Sequence, residues 1–536
     1  MKETKQKNIF FDPVFIILII ILTVMGAIIG MQLITTLGIT ANTSIIGALF
    51  AMVLGRIPFA FLYKFRSTHN QNLIQTAISA ATFGAGNTLF IPIGVPFVLG
   101  MPELITPMLI GAGIALVIDG TIMYRLFGSQ VFPASGAWPP GIATAEAIKA
   151  GDEGGKKAGI LGFGILAGIG GAMAGIPMSA FGVAFIGNII ALTMFGLGLL
   201  LSGYSEFLFG ITMSDEYIPH GIMVGAGLVA FGQFIYLLIK GNKGRKRDEN
   251  DPAMQVNEAV EPDRSVTRTE REVGKALGFG YVAYIIGALL LAVISGIITD
   301  MSLTMVLLFI VYAAFAAIIT EIIVGIAAMH SGWFPAFAVS LISLVVGILF
   351  GFPIPALAML VGYTAATGPA FADMGYDFKA GFILRSKESL EFELEGRRMQ
   401  FFVSLIGFGI AIVMVALFHG SYFAQDLVPP VDYVFAATIE AGADSSVAWA
   451  IVLWAIPGAL LQLIGGPKRQ MGILFSTGLL LVNPIAGWTV IAGLAIRVTI
   501  LKIKGEEAQN TMYTAAAGFI AGDALYSFFN SIFRAR

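Results

Sequence analysis

Four carboxylates stand in surroundings that are otherwise almost wholly apolar: Asp119 in GIALVIDGTIMYRLFG, Glu146 in ATAEAIKA, Glu321 in AAIITEIIVGIAAMH and Asp523 in AGFIAGDALYS. A charge at the centre of a bilayer costs at least about 2.5–3.5 kcal/mol, so each acid needs a reason to be there. A carboxyl held in such a place can bind a proton and release it again, which is the chemistry of a coupling group. Glu146, Glu321, Asp119 and Asp523 are therefore the candidates for proton coupling. Two of them also have a structural reading: a polar contact between helices for Glu321, and a helical salt bridge to Lys149 for Glu146. Arg125 lies six residues after Asp119, too far for i,i+4 pairing, and reads as an interfacial anchor.

A second chemical feature surrounds Glu146. Residues 131–157 read VFPASGAWPPGIATAEAIKAGDEGGKK, rich in Pro, Gly and Ser and set among long apolar runs. Such backbone cannot hold a regular helix, and at membrane depth it persists only where protein buries it or a wet cavity solvates it. Residues 131–148 are thus expected to line a hydrated pathway, with Pro133, Ser135, Gly136, Thr144 and Glu146 facing the solute. Thr364 and Thr367, in YTAATGPAFAD, are the candidates in the second half of the chain. Asn72, Gln75, Thr76, Asn87 and Thr88 mark a polar face on the span near 70–99, read either as path lining or as helix-joining amides.

The elements that must position these groups follow from composition. The 536 residues are 57% hydrophobic and 12% charged, roughly half the charged fraction of a soluble protein. Apolar runs long enough to span a bilayer recur throughout, giving an all-α polytopic membrane protein. Counting roughly 20 residues per span leads to about 16 crossings, some of them broken or re-entrant. Spans are expected near 43–63, 70–99, 103–124, 303–326 and 353–371, among others. A solvated basic loop is expected over 373–398 and an acidic outer loop over 419–445. The polar segment 240–275 divides the chain into membrane halves 1–239 and 276–536, a division that a duplicated carrier would show. Its basic opening, and the Lys-rich N-terminus, point to the cytoplasm. The glycines of 159–175 read as close helix packing.

Several functions are excluded or disfavoured. With no cysteine there is no thiolate metal site, and the four histidines are scattered; no metal site, cofactor or catalytic residue is expected. A net charge of −2 carries no sign of nucleic-acid binding. Neither HExxH nor GxSxG is present, which disfavours an intramembrane enzyme, and Val361-Gly362-Tyr363 lacks the flanking residues of a channel filter. No nucleotide-binding GxxxxGK[ST] is present either.

The stretch FPASGAWPPGIATAEAIKAGDEGGKKA (132–158) resembles the signature of the oligopeptide transporter family. YTAATGPAFADMGYDFKAGFILRSKESLEFELEGRRMQ (363–400) is similar to its later segment, and GITMSDEYIPHGIMVGAG (210–227) to its Met-Ser segment. GILFSTGLLLVNPIAGW and AAGFIAGDALYSFF match more weakly. The overall pattern is closest to the compact bacterial branch related to the yellow stripe-like transporters. The resemblance implies a secondary carrier, proton-coupled, for small peptides or metal chelates. It also implies a bacterial cytoplasmic membrane location, with solute, protons and lipid as partners. An exporter or a carrier of another solute is the alternative, and a homo-oligomer stays open. The chain departs from the family at Phe132-Pro133-Ala134-Ser135-Gly136, where an acidic or aromatic neighbour often stands beside the proline.

Overall fold

A chain in hydrocarbon must satisfy its amides and carbonyls within the segment, so long apolar runs become helices. The structure, a computed structural model, describes residues 12–38, 59, 66–138, 140–142, 144–145, 148–149, 156–244, 264–331, 336–442 and 445–534. Among these residues all regular structure is helical, apart from one isolated bridge between Phe127 and Phe132. Nine helices among them are long and apolar enough to cross a membrane, and five shorter apolar helices accompany these. This is an all-α polytopic membrane protein. The span expected near 43–63 lies, but for Phe59, outside the described residues, as does Glu146.

The first helix, α1 (Pro13–Leu37), starts with Pro13 at its first position and Asp12 accepting from the Val14 and Phe15 amides, and stops at Gly38 in the left-handed region. Next come α2 (Thr68–Phe83), a π-helical segment (Gly84–Phe90) and α3 (Ile91–Val98), which together form one 31-residue span. Pro92 and Pro96 cannot donate to the turn before them, and the widened π turns lie directly upstream. After α4 (Ile105–Leu126) the chain passes through the Pro/Gly stretch to α5 (Lys156–Met173), α6 (Met178–Ile186), α7 (Ile189–Gly203), the short α8 (Ser205–Phe209) and α9 (Ile218–Gly244). Beyond the linker, α10 (Glu270–Ile294) begins with a capping box between Thr269 and Glu272.

The remaining helices are α11 (Leu303–Ser331), α12 (Ala336–Leu349), α13 (Ile354–Ala365), α14 (Pro369–Leu384), α15 (Leu390–Phe423), α16 (Pro430–Ala441), α17 (Ser445–Arg469, kinked at Gly466), α18 (Met471–Leu480), α19 (Pro484–Lys504) and α20 (Gln509–Arg534). They pack in two groups. Helices α1–α4 and α10–α16 surround one large apolar core, while α5–α7, α9 and α17–α20 pack chiefly on one another. Helices α9, α16 and α17 connect the groups. Each group therefore draws helices from both ends of the sequence.

Two loop expectations are corrected here. The span expected to end at 371 continues through a break as α14 to Leu384, so residues 373–384 are helix, buried as far as Phe382, instead of solvated loop. In the acidic segment 419–445, residues 430–441 form α16, and Asp432 is buried in its first turn against Gly94 of α3. In both places hydropathy registers the charge but not the neighbouring helices that enclose it.

Candidate functional site

The break between α13 and α14 is written in Thr367-Gly368-Pro369. Proline removes one amide and crowds the residue before it, so a continuous helix is blocked. Gly368 adopts φ 102°, a conformation that side chains rarely tolerate, with Val324 of α11 packed where a Cβ would stand. Pro369 then opens α14 at the position where its missing N–H costs least. The amides of the new helix start are left without partners inside the chain segment.

Asp119 of α4 supplies the partner. Its Oδ2 accepts from the Gly368 amide at 2.7 Å and, more weakly, from the Phe371 amide at 3.4 Å. A carboxylate at a helix amino end is favoured both by charge-assisted bonding and by the helix dipole. The other oxygen, Oδ1, accepts from the Tyr284 hydroxyl of α10 at 2.8 Å. That hydroxyl lies 3.3 Å from Oε2 of Glu321 on α11, and the Tyr363 hydroxyl donates to the Tyr284 carbonyl at 3.2 Å. Asp119, Tyr284 and Glu321 are all fully buried, and Glu321 Oε1 has no hydrogen-bond partner among the described residues. Tyr284 carries one hydroxyl proton, and the Asp119 bond uses it. The oxygen-to-oxygen approach of Glu321 is then a hydrogen bond only when that carboxyl itself carries a proton.

A second polar array runs down α14. Asn72, Gln75, Thr76 and Ser79 fall at i, i+3, i+4 and i+7 on α2 and so share one face. Ser79 donates to Asp373 at 2.6 Å, and Gln75 donates to Asp377. Arg385 donates to Asn72 at 3.1 Å and to Gln400 of α15 at 2.6 Å, while Gln400 donates to Thr76 and to the Asp377 carbonyl. One turn away, Arg397 pairs with Glu393 at 2.8 Å, both about 1% exposed, and also donates to the Phe127 carbonyl. The interrupted span is thus held by polar groups from α2, α4, α10 and α15.

The sequence model described as OPT oligopeptide transporter protein matches residues 13–215 and 206–534, nearly the whole chain. The chain belongs to the OPT oligopeptide transporter family. Among curated proteins no sequence matches it. Family membership makes this a membrane transport protein, in keeping with its helices.

Within this OPT protein, the structure brings two of the sequence candidates together: Asp119 and Glu321 meet through Tyr284. Thr364 and Thr367 are buried at the same break, where both hydroxyls bond to backbone carbonyls of their own turn. Asp523 lies elsewhere, in the second helix group, and accepts from the Ser179 amide at 2.6 Å near the start of α6. In the Pro/Gly stretch, Ser135 is exposed, Pro133 and Gly136 are half-buried, and Thr144 is buried with its hydroxyl on the Pro140 carbonyl. Phe132, Ala134 and Trp138 of the same stretch are buried against α11 and α14. Sequence reading missed Tyr284, Asp377 and Arg385. The Gly-Pro pair inside an apolar run was the available signal for the break, and the i, i+3, i+4 spacing of the α2 amides was the signal for their partners.

Proposed function

We propose that this OPT protein is a secondary, proton-coupled carrier of small oligopeptides, with metal–amino-carboxylate chelates as a second substrate class. The reading places it in the compact bacterial branch related to the yellow stripe-like carriers, in the cytoplasmic membrane, with the N-terminus and the 240–275 linker inside. The supporting observation is the arrangement of two carboxyls, Asp119 and Glu321, around one tyrosine proton at a helix break. With a proton on Glu321, the bridge through Tyr284 closes and Asp119 holds the amino end of α14. Without it, two negative carboxylates face one hydroxyl, and the bridge opens. Proton occupancy is in this way linked to the geometry of the interrupted span, and discontinuous helices of this kind form solute and ion sites in other secondary carriers.

The energetics suffice. One proton moving down a membrane potential releases about 2.3 kcal/mol per 100 mV, enough for roughly fifty-fold accumulation of a neutral solute. The test is uptake of a labelled tripeptide into proteoliposomes under an imposed pH gradient. Glu321→Gln is expected to keep counterflow exchange but lose gradient-driven accumulation. Accumulation equal to wild type across acidic and neutral pH would remove Glu321 from coupling.

A further inference from the structure

On the side of α14 that faces the Pro/Gly stretch, Tyr376 and Lys379 lie three residues apart and so share one helix face. Both are buried. The Lys379 ammonium donates to the Ala134 carbonyl at 3.0 Å, the one hydrogen bond it makes among the described residues. Among the described residues, the Tyr376 hydroxyl and the Trp138 indole N–H are buried without any hydrogen-bond partner, and their rings meet edge to face at 5.9 Å. Trp138 is fully buried with φ 41°, unusual for a bulky residue, and its ring fills the space that a Cβ on Gly375 would need. Phe127 and Phe132 flank the indole.

Among the described residues, the Ala134 carbonyl is thus the one hydrogen-bond acceptor that these three donors use; the Asp373 carboxyl, one turn before Tyr376 on α14, takes its hydrogen bond from Ser79 of α2 instead. An ammonium, a phenol O–H and an indole N–H offer no strong acceptor to balance them, so the complementary ligand is an acceptor-only anion. A carboxylate fits best, since its two oxygens can take several donors and its bond to an ammonium is stronger than a carbonyl's. We propose that Lys379, Tyr376 and Trp138 form a subsite for the substrate's carboxylate, occupied in this conformation by the Ala134 carbonyl. The inference rests on reading the protein as a carrier of carboxylate-bearing solutes. Substrate displaces the Ala134 carbonyl, Lys379 changes partners, and the 132–138 segment moves off α14. That segment is attached by few bonds that must then give way: the Ala134 amide to the Ser265 carbonyl, and the Trp138 amide to the Met329 carbonyl. The segment is therefore both wall and gate of the subsite.

The test uses the purified full-length protein and reads thermal stabilisation, because a ligand stabilises the state it binds. The probes are trialanine, trialaninamide and iminodiacetate. Wild type is expected to require about tenfold more trialaninamide than trialanine for the same shift. Tyr376→Phe, which keeps the ring, is expected to weaken trialanine binding about threefold to tenfold and to leave trialaninamide unchanged. Lys379→Met is expected to abolish the preference for the free acid; should it fail to fold, Tyr376→Phe and Lys379→Arg carry the test, with Arg retaining the preference. Equal binding of acid and amide by wild type, or a preference that survives both Tyr376→Phe and Lys379→Met, overturns the subsite. Stabilisation by iminodiacetate alone, sensitive to these substitutions, supports the subsite and overturns the peptide reading. Iminodiacetate stabilisation insensitive to them overturns the subsite, and no shift with any probe overturns both.

Discussion

Tyr284 is the residue on which the two carboxyls depend, and its contribution can be measured. Tyr284→Phe leaves Asp119 with the α14 amides and leaves Glu321 without a partner among the described residues. An unsatisfied buried polar group costs about 1–3 kcal/mol, so unfolding in detergent should show a loss of that size. With Glu321→Leu already in place, the same substitution should cost less, because one of its two bonds is gone. Losses that add to within about 0.3–0.5 kcal/mol would reject the bridge. At this scale the sequence is partly legible. Asp119 and Glu321 stand out because no other charged residue stands close to them in apolar runs of the chain. Tyr284 gives no such signal, since a tyrosine is at home in an apolar run, and only three-dimensional packing shows what its hydroxyl touches. Asp373, Asp377 and Arg385 mislead in the opposite sense: they read as solvated because their partners are on α2 and α15, about 300 and 15–23 residues away.

Among the elements, the break at Gly368 decides where the site forms. Gly368→Ala forces a side chain into φ 102° and against Val324, a strain of about 1–3 kcal/mol. Gly409 in α15 makes the control: its φ is helical and a Cβ there meets nothing within 4 Å. Gly409→Ala should therefore be neutral or stabilise by about 0.5–1 kcal/mol, as expected for a helix interior. Thermal unfolding of the two variants beside wild type checks both signs, and equal stability for the pair would mean that the break is not required. The break eluded hydropathy because the few apolar residues after Gly368 read as the tail of the span before it, and the charges from Asp373 onward read as its end. The Pro/Gly stretch at 131–148 was legible only in its first part: residues 131–138 are irregular as expected, whereas the described residues 140–142, 144–145 and 148–149 are helical, because Pro140 is tolerated at a helix start and the alanines after it favour a helix. Its exposure was only half anticipated: Ser135 is open, while the aromatic side chains beside it close onto α14.

Across the whole molecule, the arrangement of two helix groups rests on small residues. Helices α5 and α20 approach so closely that Gly164 lies on Gly518 and Gly168 on Gly522, and α7 meets α18 through Gly198 and Gly478. Without a strong hydrophobic drive between helices in lipid, such contact supplies the association energy. The glycines of 159–175 announced tight packing from the sequence, but not its partner, because the partner is at the far end of the chain. Gly168→Val should overpack this seam, costing about 1–3 kcal/mol. Gly170→Val, two residues along the same helix at an exposed position where a Cβ meets nothing within 4 Å, should cost far less. Because Asp119, Tyr284 and Glu321 belong to the other group, Gly168→Val should lower the unfolding temperature without changing the concentration of trialanine needed for half-maximal stabilisation. A loss of ligand affinity as large as the loss of stability would show instead that the two groups act as one body, with the second group shaping the site it does not touch.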